Sequence, residues 1–506
     1  MKRSTQIVFL ISGLLSSQWG MAQSPRILTL EESISIALNQ SFDSARLEQS
    51  LINSEMSLRA AQAGLKSNSE LQFSRFPNFQ DNERQIPEAG GLFSFDRQKF
   101  MDLSADLFIN QPIKLTDGVF SLVASMQRFQ QYGRFERTIF TESGLVMQTF
   151  DDPIEYSPQL RLQFQQPLFT LNRLSTEFHK AELNLEKTQQ VYTKTQLDII
   201  HNVTTNFYAL FGAQKQLEID QTQVKQSENA YRIASLKQQA GLLPEVEVLR
   251  LEVDLANARN KAATSEAFLQ QTEDAFKLLI GLPVEEDVQA VTQLTYQPVE
   301  VTLEKALQEA LQRRTELRTD EIDIELSRIS VKETDALREI KGQLNLSYGI
   351  FKRDSSLTKA FKNFIDDRSV TLSLTIPLWD WNRNSYQVQA AKANLESNRL
   401  VQKNRIENIK QEIRAAVRNL HSAQQRIDIT KRSEELAEKS YKISLLKFEN
   451  GDLSSQDLAL EQNRLTQSRV NSLSAIIDYK QALSDLRRKT LWDFEKNQPV
   501  QVDLND

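Results

Sequence analysis

One pattern occurs twice in this chain and constrains its fold more than any other: a strand pattern that ends at a proline and passes into a long helical pattern. In the second copy, Ser369–Ile376 alternates polar and apolar residues as a β-strand does, and a proline ends it because proline cannot donate to a strand ladder. The same features recur 210 residues earlier, which predicts an internal duplication. The residues of the two junctions are Pro167, Asn172 and Arg173 in the first copy and Pro377, Asn382 and Arg383 in the second.

Long helical patterns follow both junctions and make up much of the chain. Apolar residues recur in them at alternating steps of three and four, which is the heptad spacing of a coiled coil. The clearest run is Ile406, Ile409, Ile413, Ala416, Leu420, Ala423 and Ile427. Each long pattern would extend roughly 100 Å as a helix, and each ends near a glycine, the usual residue after a helix. The predicted pairs of long and returning helices are 173–239 with 245–280, and 383–449 with 454–490.

The turns between these helices are the first candidate functional residues. They comprise Gly241, Leu242, Leu243 and Pro244 in the first hairpin and Gly451, Asp452, Leu453 and Ser454 in the second. Six residues past each glycine stands an acidic residue, Glu247 or Asp457, which a returning helix would hold near the turn. In an oligomer these carboxylates would form a ring that attracts cations at a constriction. The alternative is a chance match, since both helices carry many acidic residues.

Strand-like alternation fills the region before each junction, over 68–166 in the first half and 343–376 in the second. The last strand has an apolar side and a side of Thr and Ser, with Trp379 and Trp381 just beyond its end. This arrangement is typical of a barrel strand that faces lipid, although a soluble sandwich is the alternative. The first region has five strand-like segments and is about 60 residues longer than the second.

The N-terminal residues and the composition indicate where the protein is located and which partners it has. Residues 1–22 carry two basic residues, a short apolar run and small residues before the end, which is typical of a signal peptide. The chain has no cysteine, so it forms no disulfide, and no later apolar run reaches the length of a transmembrane helix. Membrane insertion would therefore be through strands. The net charge of −6 argues against a nucleic-acid partner.

The sequence contains no recognisable catalytic motif. The three histidines, His179, His201 and His421, have no metal-ligand spacing, and there is no Gly-rich phosphate loop or HExxH motif. We therefore predict that the protein is not an enzyme and has no cofactor and no metal site.

Taken together, these motifs resemble the TolC-like outer-membrane efflux protein family. The resemblance rests on the two junctions, the two glycine hairpins and two similar helix openings, Leu30-Glu31-Glu32 and Leu303-Glu304-Lys305. It implies a mainly α fold with transmembrane β-strands, in which a homotrimer closes one β-barrel in outer-membrane lipid, continued by a long periplasmic α-helical barrel. The hairpin turns would form the periplasmic tip, which meets a periplasmic adaptor (membrane fusion) protein and, through it, an inner-membrane pump. The implied location is the outer membrane of a Gram-negative bacterium, extending into the periplasm.

The duplication sets the expected organisation: a signal peptide over 1–22, repeats over 23–300 and 301–490, and a tail over 491–506. The sequence departs from the family pattern in two places. At the tip, Leu460 stands where the family has a second acidic residue and Leu453 where some relatives have a basic one. The family also has two spanning strands per half, whereas the first half here is longer. We expect the extra residues to form an external loop with its own hairpins; four spanning strands from this half are the alternative.

The leading functional hypothesis is a passive conduit in a tripartite efflux or type I secretion system, opened at its periplasmic tip by an adaptor. A periplasmic coiled-coil spacer without a pore is the main alternative, because heptads alone also fit one. A surface adhesin or receptor built on 68–166 is the third.

Overall fold

The computed structural model describes residues 26–87, 93–141, 144–151, 153–292 and 296–500. The predicted signal peptide and residues 501–506 of the predicted tail lie outside the described residues. The chain divides into two compact units, each assembled from separate stretches of sequence. Unit 1 comprises the residues up to Leu47, Thr193–Arg314 and the residues from Ile409 onward, and unit 2 comprises Glu48–Tyr192 and Thr315–Asn408.

Two very long helices, each followed by a returning helix, dominate the described helical structure. The helices are α1 Leu30–Gln40, α2 Phe42–Ala63, α3 Arg173–Gln239, α4 Glu245–Ile280, α5 Leu303–Arg313, α6 Thr315–Asp335, α7 Leu357–Ala360, α8 Arg383–Asn450 and α9 Ser455–Thr490. We call α3–α4 the first hairpin and α8–α9 the second hairpin.

A short helix opens each half of the chain, and a threonine directly before the helix caps it. Thr29 Oγ1 accepts a hydrogen bond from Glu32 N (3.2 Å), and Glu32 Oε2 accepts one from Thr29 N (2.9 Å). This reciprocal pair satisfies two backbone donors at the start of α1. Thr302 begins α5 by accepting from Lys305 N (3.4 Å), but the lysine side chain cannot return the bond because it is only a donor.

The heptad residues of the long helices form the core of unit 1. On α8 they are Ile409, Ile413, Ala416, Leu420, Ala423 and Ile427, each no more than 3% exposed. On α3, Val203, Phe207 and Leu210 are fully buried and share one cluster with Phe276 and Ile280 of α4. The apolar spacing therefore places its residues inside, which is what stabilises helices of this length.

Six of the described strands form one antiparallel sheet in unit 2, in the order β10-β9-β7-β4-β3-β2. Two more, β5 and β6, pair only with each other. The strands are β1 Arg26–Leu28, β2 Asn68–Pro87, β3 Phe93–Ile113, β4 Gly118–Tyr132, β5 Arg134–Thr141, β6 Gly144–Asp151, β7 Ile154–Leu168, β8 Val288–Ala290, β9 Lys341–Phe351, β10 Ile365–Thr375, β11 Trp492–Asp493 and β12 Gln498–Pro499.

The sheet corrects one expectation for the longer first half. In the second half β9 and β10 pair directly, whereas in the first half β3 and β4 lie between β2 and β7. The extra residues therefore enlarge the sheet, and the preference for an external loop was wrong for β3 and β4. It failed because alternation along a strand does not show which strand is its neighbour. Within the longer first half, only the described strands β5 and β6 form a separate hairpin of the expected kind.

None of the helices in the described part of the chain is long and apolar enough to cross a membrane.

Candidate functional site

One face of the six-stranded sheet is apolar across every strand. Neighbouring strands bring apolar residues opposite one another: Leu107 lies opposite Leu71, and Leu122 lies between Ile109 and Leu162. Many of these side chains are exposed, and Val370 reaches 76%. The exposed large apolar residues of this face include Leu71, Phe73, Phe79, Leu107, Ile109, Phe120, Leu122, Leu160, Leu162, Leu346, Tyr348, Val370, Leu372 and Leu374. A surface of this kind needs lipid or protein to cover it.

The opposite face of the same sheet is polar and carries charged groups. Asp102 on β3 is 2% exposed and accepts hydrogen bonds from Gln127 (2.9 and 3.0 Å) and from Arg75. The register of β2 shifts on both sides of Arg75, and such bulges re-aim a side chain. Arg161 on β7 forms an ion pair with Asp367 on β10 (3.7 Å). Charged and hydrogen-bonding side chains of this kind favour contact with water.

At the first junction, one predicted residue, Asn172, binds the turn between β3 and β4 (114–117). Pro167 is paired within β7, and Arg173 is the first residue of α3. The Asn172 side chain donates to the carbonyl oxygens of Lys114 (2.7 Å) and Leu115 (3.0 Å). Its own oxygen accepts from the backbone N of Ser175 (2.9 Å) and so caps the helix.

The same turn makes two further contacts at this junction. Asp117 Oδ1 accepts a hydrogen bond from Leu174 N (3.2 Å), and Gln166 Nε2 donates to the carbonyl of Thr116 (2.7 Å). The inserted β3–β4 hairpin is therefore fastened to the start of the first long helix. The sequence does not predict this contact, although Thr116-Asp117-Gly118 is itself a typical turn sequence.

At the second junction, contacts between residues close in sequence cap the start of the long helix. Pro377 follows the end of β10, and the chain turns through Trp381 (φ 55°) and Asn382 (φ 64°) in the left-handed region. Asp380 accepts hydrogen bonds from Arg383 N through its carbonyl (3.0 Å) and from Asn384 N through its side chain (3.0 Å). The equivalent asparagines of the two halves therefore stand in different environments.

We expect Asn172→Ala to destabilise the folded sheet. The substitution removes a helix cap worth about 0.5–2 kcal/mol and also removes both bonds to the turn. The measurement is the temperature at which the purified protein unfolds. Asn172→Asp is the informative comparison: it keeps an acceptor for Ser175 N but places a carboxylate against two carbonyl oxygens. An Asp variant as stable as the parent would show that the turn contacts contribute nothing.

Both hairpin turns end their long helices in the same way. Gly241 has φ +70° and Gly451 has φ +92°, a backbone conformation that side chains other than glycine rarely adopt. In the first turn Gly241 N donates to Gln238 O (2.9 Å) and Leu242 N to Lys237 O (2.8 Å), a double closure of the last helical turn. Asp452 N donates to Lys447 O (2.9 Å) in the second turn.

An apolar cluster joins the two hairpins beside these turns. We call it the tip cluster; its buried members are Ala230, Ala234, Leu251, Tyr441, Phe448, Leu458 and Leu465. Leu243 and Leu453 from the two turns pack against it. Lys237 lies with its Nζ 5.2 Å from the centre of the Phe448 ring and donates to the Phe448 carbonyl, which caps the end of α8. Two of the three turn leucines, Leu243 and Leu453, thus contact the cluster, whereas Leu242 is 76% exposed.

The two predicted acidic residues occupy different environments. The Asp457 side chain is exposed and accepts a hydrogen bond from Ser454 Oγ (2.7 Å), while Ser454 caps α9 by accepting from Asp457 N (3.2 Å). The Glu247 side chain is only 18% exposed, pairs with Arg250 (2.9 Å) and accepts from Ser455 Oγ of the other hairpin. Glu247 thus links the two hairpins. Sequence patterns do not predict this link, because Ser455 lies 208 residues from Glu247.

Polar groups also lie within the packed helices behind the tip cluster. Gln462 Nε2 donates to Ser227 Oγ (2.8 Å) and to the carbonyl of Gln223 (3.1 Å), which joins α9 to α3. Burial raises the pKa of Asp254 on α4 and lowers the pKa of His201 on α3. Among the described residues no group of His, Cys, Asp and Glu is arranged to hold a metal ion.

Paired helical hairpins together with a sheet of one apolar and one polar face define the class: an outer-membrane channel protein. The family model of outer membrane efflux proteins matches residues 133–282 and 306–490. The chain belongs to this family, whose members are channels and not enzymes. No curated protein matches the chain by sequence.

Solved structures of outer-membrane channels share the fold. The CmeC channel of Campylobacter jejuni is 13% identical with a TM-score of 0.68, and the match covers 99% of this chain and 96% of that one. VceC of Vibrio cholerae is 13% identical with a TM-score of 0.66, covering 93% and 97%. The open state of MtrE of Neisseria gonorrhoeae is 15% identical with a TM-score of 0.64, covering 94% and 91%. The predicted family, the fold class of long helices with a β domain, and the location in the outer membrane and periplasm are confirmed.

Proposed function

We propose that three copies of this chain form a passive export conduit across the outer membrane and periplasm. The conduit works in a tripartite efflux or type I secretion system, in which an adaptor opens its periplasmic tip and an inner-membrane pump supplies the cargo. The observation that carries the proposal is the two-faced sheet. Its apolar face suits lipid and its polar face suits a water-filled pore, which is the pattern of a transmembrane barrel.

Exposed heptad residues on the helices of unit 1 support assembly with further copies. Ile429, Leu436 and Ile443 on α8 are spaced by seven residues and are 51–68% exposed. Val246, Leu249 and Val253 line one side of α4 and are 52–59% exposed. Stripes of this kind bury themselves against other helices, and a second copy of the same chain offers matching stripes.

The turns of the two hairpins supply the proposed contact with the adaptor. Leu242 is a large apolar side chain exposed beside Gly241, and the neighbouring Pro244 and Asp452 are exposed as well. An adaptor that grips these turns pulls on the tip cluster and on the Glu247–Ser455 bond. We propose that separating the hairpins at these contacts opens the conduit.

Imaging of the protein extracted from outer membranes in detergent tests this function. We expect a hollow particle with three-fold symmetry, and we expect deletion of the gene to stop export of the pump's cargo. A solid rod, or recovery of the protein without detergent, would favour the periplasmic spacer and refute the conduit.

For the aperture we propose that Asp457 supplies the acidic ring and that Glu247 contributes mainly by linking the hairpins. Asp457→Ala is expected to lower the cation-to-anion permeability ratio about two- to fivefold, since a unit charge a few ångströms from an ion in water is worth up to about 1 kcal/mol. Reversal potentials in a salt gradient measure this ratio. The matched control is Glu266→Ala, which removes the same charge from an exposed position within α4. Equal ratios in the parent and in Asp457→Ala would refute the ring.

A further inference from the structure

We infer that every chain contributes six spanning strands, and that β2 of one copy pairs with β10 of the next to close an eighteen-stranded barrel. The inference rests on the proposed trimer and goes beyond it, because two strands per half would make only twelve. It assigns a partner, a second copy of this chain, to each of the two outermost described strands of the sheet.

The inserted β3–β4 hairpin has the length and position of a spanning hairpin. A transmembrane strand needs about 9–11 residues. The sheet strands have 20 residues in β2, 21 in β3, 15 in β4 and 15 in β7, against 11 each in β9 and β10. The turn between β3 and β4 is bonded to Gln166 and Asn172, at the end of the sheet where α3 begins. The inserted hairpin therefore runs from that end of the sheet along its full height.

The apolar face continues without a break through the inserted strands. One row crosses the sheet as Leu71, Leu107, Ala124, Leu160 and Ile350 on successive strands from β2 to β9. If β2 and β3 lay outside the membrane, Leu71 and Phe73, 59% and 58% exposed, would face water. At this row β10 carries Asp366, and its apolar residues lie four to eight positions further along, at Val370, Leu372 and Leu374. A band that shifts along successive strands in this way is what tilted strands at one depth in lipid produce.

Strand direction selects the partner of each outer strand. All copies in one membrane have the same orientation, so β2 beside β2 or β10 beside β10 would be parallel. The direct neighbours in this sheet are all antiparallel, and β2 and β10 run in opposite directions because five antiparallel steps separate them. Only β10 against β2 of the next copy continues the pattern. Such a head-to-tail contact closes into a ring, and unpaired strand edges do not persist in lipid.

The consequence is a wider pore in the outer membrane. Barrel diameter grows roughly linearly with strand number, so eighteen strands make a barrel about half as wide again as twelve. The polar face, with the Asp102–Arg75 pair, lines that pore.

Disulfide trapping tests the contact, and the cysteine-free chain provides a clean background. Ser373→Cys on β10 is combined in turn with Glu70→Cys, Gln72→Cys or Ser74→Cys, which occupy the same polar face on β2. The proteins are oxidised in isolated outer membranes and separated without reductant. We expect at least one combination to shift most of the chain from the monomer to a trimer mass, and reductant to reverse the shift.

The matched comparison is Ser373→Cys with Ser121→Cys on β4. In this sheet β4 is enclosed between β3 and β7, so no link to another copy is expected. A trimer trapped through Ser121 would mean that the barrel closes on β4 with four strands per copy, and would overturn the inference. A trimeric particle with no link at any β2 position would overturn it as well. A protein that is not a trimeric pore would instead refute the proposed function, and strand counting in the imaged particle separates these results.

Discussion

Gly281→Ala is expected to prevent the chain from accumulating in its folded form. Gly281 ends α4 with φ +84°, and a Cβ there would lie 2.4 Å from the carbonyl oxygen of Gln40, which belongs to the backbone at the end of α1. Backbone cannot move aside as a flexible side chain can, so α1 and α4 would have to separate. The cost is several kcal/mol, a large part of the roughly 5–15 kcal/mol that stabilises a typical domain. The measurement is the amount of protease-resistant protein in outer-membrane fractions.

Gly241→Ala is the matched control for this prediction. Gly241 has a similar φ of +70°, but nothing lies within 4 Å of the position of its Cβ. The substitution therefore adds only the strain of a left-handed alanine, about 1–2 kcal/mol. We expect nearly normal amounts of the Gly241 variant. Equal losses in both variants would show that backbone conformation, and not the close approach to Gln40, limits position 281.

Phe448→Ala is expected to loosen the joint between the two hairpins and leave the conduit leaky. Phe448 is 1% exposed in the tip cluster, and removing a buried phenylalanine side chain typically costs about 3–5 kcal/mol. Phe448 belongs to the cluster that joins the hairpins beside their turns, so we expect the loss to act there. Single-channel recording should show a higher conductance and longer openings than in the parent protein. Cells that carry the variant should admit large antibiotics that an intact outer membrane excludes.

Phe268→Ala tests whether this effect belongs to the cluster. Phe268 lies on α4 and is 58% exposed, so its removal leaves no cavity in unit 1. We expect its conductance to match the parent. If Phe448→Ala also matched the parent, the tip cluster would not hold the conduit closed.

The parts of the fold that were readable from the sequence depend on periodicity. Heptad spacing over many turns identified the long helices, because a face such as Ile409, Ile413, Ala416 and Leu420 is unambiguous at that length. Glycines at the turns and the offset of 210 residues then indicated two hairpins. The resemblance to efflux channels followed from the order of these elements, and the family is confirmed.

Contacts between residues far apart in sequence were not readable. The place of β3 and β4 in the sheet depends on pairing, which strand alternation leaves open. Similarly, Glu247 and Asp457 occupy equivalent positions in the two halves but have different surroundings. Glu247 accepts a hydrogen bond from Ser455, and Asp457 accepts one from Ser454. The internal duplication predicts equivalent surroundings for the two residues. They differ because Glu247 contacts the other hairpin, whereas Asp457 contacts its own.

The interleaved arrangement of the two units has a consequence for how the chain matures. The ladder between β7 and β9 joins residues such as Leu160 and Ile350, nearly two hundred positions apart, so a long loop must close before that ladder forms. Contacts of such long sequence separation fold slowly. Unit 1 in turn needs segments from the beginning, the middle and the end of the chain. Neither unit can therefore be completed until late segments of the chain are present, and the apolar strands of unit 2 wait unpaired for β9 and β10.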